Sequence, residues 1–179
     1  MTEDLEDGTH VTLGRRFRTP AHPHVLAALG RALYCFLSLE ESVTAILFDA
    51  GAATLSMTRA KMAGDKEQAI VDLADRYRSS PLGGAVAVTL DQAVVAFRSA
   101  RKSVRNELLH THPYTAGEDG EGNYLPGLAY TAKDGQSWKT VSRTPEDLLD
   151  LATVIEHAVD PLSAARNAVQ TLPLSALQP

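Results

Sequence analysis

The run PHVLAALGRALYCFLSLEESVTAILFDAG, residues 23–51, decides the fold class. Leu26, Leu29, Leu33, Phe36, Leu37, Val43 and Leu47 recur in it at three- and four-residue spacing, the period of a helix with one apolar face. Pro23 suits the first turn, where its missing N–H would have no helical partner anyway. Gly51 supplies a stop. Cys35 falls inside the run and is expected as a small buried apolar residue. So long a helix has to bury its stripe against others, and the chain downstream offers them.

Residues 52–63 are short and ambiguous, and Gly64 breaks them. Asp65 with Gln68 reads as a capping box, opening a helix whose inner face is Ile70, Leu73, Ala74 and Tyr77. The loop SSPLGG, residues 79–84, precedes a third strong helix over roughly 86–110, with Leu90, Val94, Phe97, Val104 and Leu108 as its stripe. Residues 113–143 change character. Gly117, Asp119, Gly120 and Gly122 mark a loop, and 124–131 and 136–141 read as two strands around Lys133-Asp134-Gly135, with Asp-Gly as the hairpin turn. Thr144-Pro145-Glu146-Asp147 is a helix start: threonine cap, proline in the first turn, acids at the positive pole. Leu148, Leu151, Ile155, Ala158, Leu162 and Val169 follow as a stripe, which Pro161 should kink or split; beyond Gln170 the chain should be irregular. No internal repeat is present. The expectation is an all-α protein, a four- to five-helix up-and-down bundle over residues 21–172. A small β-hairpin is inserted at about 123–142, before the last helix, and residues 1–20 form a flexible or loosely docked arm.

Composition narrows the function. At 179 residues the chain suits one domain that folds without staples. Its single cysteine excludes an internal disulfide framework and any multi-cysteine metal site. No apolar run is long enough to span a membrane, and the acidic start, Met1 to Gly8, lacks the features of a signal peptide. A cytoplasmic, reducing location is the expectation. The net charge of -5 argues against holding duplex nucleic acid by general phosphate neutralisation, yet leaves room for a local basic site. Arg15, Arg16 and Arg18 in the arm offer one way to assist such a site or a partner.

The chemistry concentrates in Arg101-Lys102-Ser103-Val104-Arg105-Asn106-Glu107-Leu108-Leu109-His110-Thr111-His112-Pro113-Tyr114. Arg101 falls on the apolar stripe, which is costly unless it is paired or faces a wet cleft. On a continued helix Asn106 and His110 share a face, and Arg105 and His112 another, although Pro113 disfavours helical geometry at His112. Arg105 and His110 are offset by about 140° on such a helix, so convergence requires a dimer, a frayed last turn or a long arginine reaching round. A guanidinium is a planar fork of donors matched to phosphate, and an imidazole passes protons near neutral pH. Together they suit RNA cleavage without a metal. A histidine would assist attack of the 2′-hydroxyl on the adjacent phosphate or protonate the leaving oxygen, and an arginine would stabilise the added charge.

The segment Arg105-Asn106-Glu107-Leu108-Leu109-His110 resembles the signature of the HEPN superfamily, helical-bundle proteins with an arginine, a polar residue that is often asparagine, and a histidine four to six residues on. His110 follows Arg105 after four intervening residues and His112 after six, so both satisfy the spacing. The resemblance implies a homodimer with a composite cleft and a metal-independent endoribonuclease, a hydrolase of toxin–antitoxin or anti-phage defence systems, with an antitoxin or inhibitor protein as a further partner. It points to Arg105, His110, Asn106 and His112 as catalytic, with no cofactor and no metal; beside them Arg101 extends the anion site for substrate binding, and Tyr114 either donates a hydrogen bond to the substrate phosphate or anchors the loop. The inserted hairpin departs from the family pattern.

Two other function classes compete: a non-catalytic binding or scaffold module of the same shape, and a regulator that binds a nucleotide or other anion between helices. Plain structural roles compete as well, since a histidine near a helix C-terminus often only caps carbonyls. His22-Pro23-His24 and His110-Thr111-His112 are His-x-His pairs without an acidic or cysteine ligand beside them. His157 reads as a solvated or interface residue, and Asp72, Asp75, Arg76 and Arg78 as a solvated face. Trp138 and Tyr124 are expected to pack the hairpin onto the bundle, or else to stack bases. Serine-nucleophile motifs, phosphate-binding glycine loops and dinucleotide fingerprints are absent.

Overall fold

In a computed structural model, the 23–51 run is one helix, α1 (Pro23–Asp49), with Pro23 in its first turn. It stops where Gly51 takes the left-handed conformation at φ 71°. The structure describes the backbone of Thr2–Asp4 and His10–Thr12 and residues 22–177 apart from 119; the side chains of 105–107, 116 and 117 lie outside the description. The arm segments β1 (Thr2–Asp4) and β2 (His10–Thr12) pair antiparallel, so part of the expected arm is a local hairpin. Arg15, Arg16 and Arg18 fall outside the described residues.

A short α2 (Leu55–Arg59) is capped by Thr54, whose hydroxyl accepts from the Met57 N–H. Then come α3 (Ala63–Arg78), α4 (Gly84–Glu107), α5 (Pro145–Glu156) and α6 (Val159–Thr171). The chain is mostly helical, with a small antiparallel sheet between α4 and α5. No helix among the described residues is long and apolar enough to cross a membrane. The long α1 packs on α3, α5 and α6, and α4 packs on α3 and α6. The core joins Leu39, Ile46, Leu73, Phe97, Ile155 and Leu162.

Several expectations need correction. In α1 the buried apolar residues are Val25, Ala28, Ala32, Leu39, Val43, Ile46 and Leu47, whereas Leu26 and Leu37 face solvent. The first half of that helix is apolar nearly all round, so its periodicity does not choose a face. No capping box opens α3. The helix begins at Ala63, winds through Gly64, and the Gln68 amide donates to Asp72 instead. Cys35 is half-buried, and its thiol donates to Glu156 Oε1 at 3.2 Å across the α1–α5 contact. Burial first, then the neighbouring Glu156 carboxylate, raises its pKa.

The start of α5 matches its sequence. Thr144 accepts from the Asp147 N–H, and the Asp147 carboxylate accepts from the Thr144 N–H at 2.7 Å, a reciprocal cap. The break before α6 falls at His157–Ala158, with Pro161 in the first turn of the new helix, where no helical hydrogen bond is lost. The tail is not irregular throughout, since Leu174–Leu177 form a 3-10 turn.

The inserted element is a three-stranded antiparallel meander, β3 (His112–Glu118), β4 (Tyr124–Asp134) and β5 (Ser137–Arg143). It is longer than the expected hairpin by a whole strand. The β4–β5 turn holds Gly135 and Gln136 at its centre, one residue later than the Asp-Gly reading, because Asp134 pairs with Ser137. Gly135 has φ 62° and Gln136 a negative φ, the pattern of a turn with glycine at its first central position. Leu128 of β4 joins the bundle core and Tyr130 is buried, so this face of the sheet seals against the helices.

Candidate functional site

The third strong helix ends at Glu107, three residues earlier than its periodicity suggests. The N–H groups of Leu108 and Leu109 both bond to the Val104 carbonyl, and the Thr111 hydroxyl donates to the Leu108 carbonyl at 2.8 Å. Buried Leu108 anchors this turn, and the chain leaves it as β3 because Pro113 rejects helical geometry at His112. His110 is therefore on a turn and His112 on a strand, and neither shares a helix face with Asn106 or Arg105. Both imidazoles are exposed. Arg105 and Asn106 belong to the last turn of α4; their side chains lie outside the description.

Arg101 has the partner that its place on the stripe demanded. Its Nε–H donates to Glu67 Oε2 at 2.9 Å, and the Arg98 Nε–H donates to Glu67 Oε1 at 2.6 Å. Glu67 is 8% exposed. Burial alone would raise its carboxyl pKa, but the hydrogen bonds and charge of the two guanidiniums outweigh burial and hold it below the ordinary value. Its chain neighbour, buried Lys66, lies 3.6 Å from Glu40 of α1. These charges bind α1, α3 and α4 together. The predicted anion-binding Arg101 is thus committed in part to a carboxylate, and no local sequence pattern could reveal a partner 34 positions earlier.

On the sheet, His112 pairs with Ala129, Tyr114 with Gly127, Trp138 with Lys133 and Thr140 with Thr131. Side chains alternate along a strand, so these residues share one face, opposite to Leu128 and Tyr130. Most of that face is turned to solvent, with Tyr114 45% exposed and Trp138 69%, whereas Gly127 and Ala129 in its central strand are buried. Neither Trp138 nor Tyr124 packs the sheet onto the bundle, which corrects the structural expectation for both. Leu128, Tyr130 and the shallow Arg143–Tyr130 stack, at 5.9 Å, occupy the inner face instead.

Elsewhere, a surface groove of about 500 Å³ runs between α1, α2 and α6. Its charged residues bond one another: Arg59 with Glu41, and Arg166 with Asp49 at 2.7 Å. Among the described residues no three His, Cys, Asp or Glu side chains gather as metal ligands, and the His22 and His24 rings stack on each other at 5.2 Å. His157 caps the end of α5 and is exposed. Comparison with protein-family models, with curated proteins and with solved structures finds no match for this chain.

Proposed function

We propose that the chain is a metal-independent endoribonuclease of a toxin or anti-phage type, built as an up-and-down HEPN-like bundle that works as a homodimer in the cytoplasm. The observation that carries the reading is the pair of exposed imidazoles, His110 and His112, set just beyond the helix turn that bears Arg105 and Asn106. His110 takes the proton of the RNA 2′-hydroxyl as its oxygen attacks the adjacent phosphorus, or returns a proton to the departing 5′-oxygen. Arg105 neutralises the phosphorane-like transition state. Asn106 orients the imidazole or bonds the phosphate, and His112 is the second proton carrier. Tyr114, two residues along β3, offers its hydroxyl or its ring to the substrate. The reaction leaves a 2′,3′-cyclic phosphate and a 5′-hydroxyl. A small inhibitor or antitoxin protein would restrain such an activity in the cell.

Arg101 supports a different reading, a non-catalytic binding module, because its Nε–H serves Glu67 instead of an incoming phosphate. In the nuclease reading Arg101 positions the last turns of α4 and does not touch the reacting atoms. The two readings separate on RNA incubated in chelator with wild type, Arg105→Ala and His110→Ala. The nuclease cuts and each variant loses about a hundredfold or more of the rate, the scale of a lost proton carrier. Equal cutting by wild type and both variants would refute the mechanism, and no cutting by folded wild type would favour the module.

A further inference from the structure

We infer that the solvent face of the sheet is a stacking platform for single-stranded RNA, leading unpaired bases to the His110–His112 turn. This rests on the nuclease reading for its purpose but not for its test. Two aromatic rings, Tyr114 and Trp138, stand exposed on this one face, and exposed rings on a sheet suit a partner with flat apolar surface. Nucleobases are such a surface, and stacking on exposed sheet aromatics is a general mode of single-strand recognition.

The charge on the face agrees. The described residues that share it carry Lys133 and no carboxylate, in a chain whose net charge is -5. Asp134, with its Lys139 partner, and Glu118 alternate onto the other face. Such local complementarity to phosphate is what an acidic protein needs to hold RNA.

Spacing fits a strand rather than one nucleotide. Trp138 stands opposite Lys133, four residues along β4 from Ala129, the partner of His112. At about 3.4 Å per residue along β4 and about 4.8 Å per strand across it, Trp138 and His112 are about 17 Å apart, a span of a few nucleotides. Tyr114 lies on the far side of His112, opposite Gly127, which has no side chain to compete for the space. An RNA with one base on Trp138 and another on Tyr114 passes its backbone over His112. A duplex cannot do this, because its bases are stacked on one another.

Trp138 is the chain's single tryptophan, so its emission reports on the platform alone. The test titrates wild-type protein with a short 2′-O-methyl oligouridine, which lacks the nucleophile for cleavage, and then with the same strand annealed to its complement. The single strand should quench Trp138 by about half, and the duplex little. By anisotropy, Trp138→Ala and Tyr114→Ala should each weaken binding about tenfold, the scale of one lost stack, while Trp138→Phe restores most of it. Unchanged emission at saturating single strand, equal affinity for the duplex, or wild-type affinity in Trp138→Ala would overturn the platform. Cleavage of ordinary RNA without quenching refutes the platform and leaves the nuclease. Quenching without cleavage keeps the platform and refutes the nuclease.

Discussion

Arg101 and His110 lie nine positions apart, yet they occupy opposite kinds of environment. Arg101 and Arg98 are closed onto buried Glu67, where two guanidiniums and one carboxylate tie α4 to α3. Beyond Glu107 the helix stops, and His110, His112 and Tyr114 stand exposed on a turn and a strand. The difference teaches that polar residues concentrated in one sequence segment need not serve one purpose. Those on the stripe are consumed in holding helices together, and those past the helix end remain open to a ligand.

The largest expected effect would break the comparison if it failed. His110→Ala should lower RNA cleavage by about a hundredfold or more while leaving the melting temperature unchanged. Arg101→Ala should do the reverse, shifting the melting temperature with a smaller change in rate. A variant of His110 that melts early, or one of Arg101 that keeps full stability and loses all activity, would erase the distinction between the two regions.

Glu67→Gln comes next. The amide keeps one acceptor oxygen but loses the charge that two partly exposed guanidiniums share, so the loss should be about 2 kcal/mol in urea unfolding, the scale of a hydrogen bond to a charged group. The same residue sets an acid dependence. Its folded carboxyl is held below the ordinary value, so its stabilisation is complete above the ordinary carboxylate range and disappears as pH falls through the lowered one. Melting followed from about pH 7 to about pH 3 should therefore show a shallower acid decline in Glu67→Gln than in wild type. Parallel declines would mean that Glu67 gains nothing from its arginines.

The smallest effect concerns a region remote from both. Thr144→Ala removes the reciprocal cap of α5 and should cost about 1 kcal/mol without altering RNA binding. A loss of binding there would show that α5, which touches β5, controls the sheet face as well.

What the sequence makes legible follows the range of the interactions. The α5 cap lies within four consecutive residues and is readable, as are the stripes of α3, α4 and α5, whose expected members are buried. The α1 face is not, because Leu26 and Leu37 are as apolar as the residues that are buried. Strand β3 escapes notice because Pro113 and Gly117 interrupt any alternation and its pairing is supplied by β4. Asp65 and Gln68 have the spacing of a cap, but the helix has already begun at Ala63. Of the proposed site, Arg105, Asn106, His110 and His112 are picked out by spacing alone. The end of α4 at Glu107, the Glu67 partner and the shared sheet face of His112 and Trp138 depend on tertiary contacts that spacing does not encode.

The central claim, that the turn after α4 carries metal-free RNA cleavage, meets its most direct test in the chemistry of the cut ends. An end-labelled single-stranded RNA is digested in chelator by wild type and by His110→Ala, and the termini are identified. The account predicts 2′,3′-cyclic phosphate and 5′-hydroxyl ends with wild type and intact RNA with the variant. Intact RNA with folded wild type, 3′-hydroxyl ends, or equal digestion by His110→Ala would contradict it.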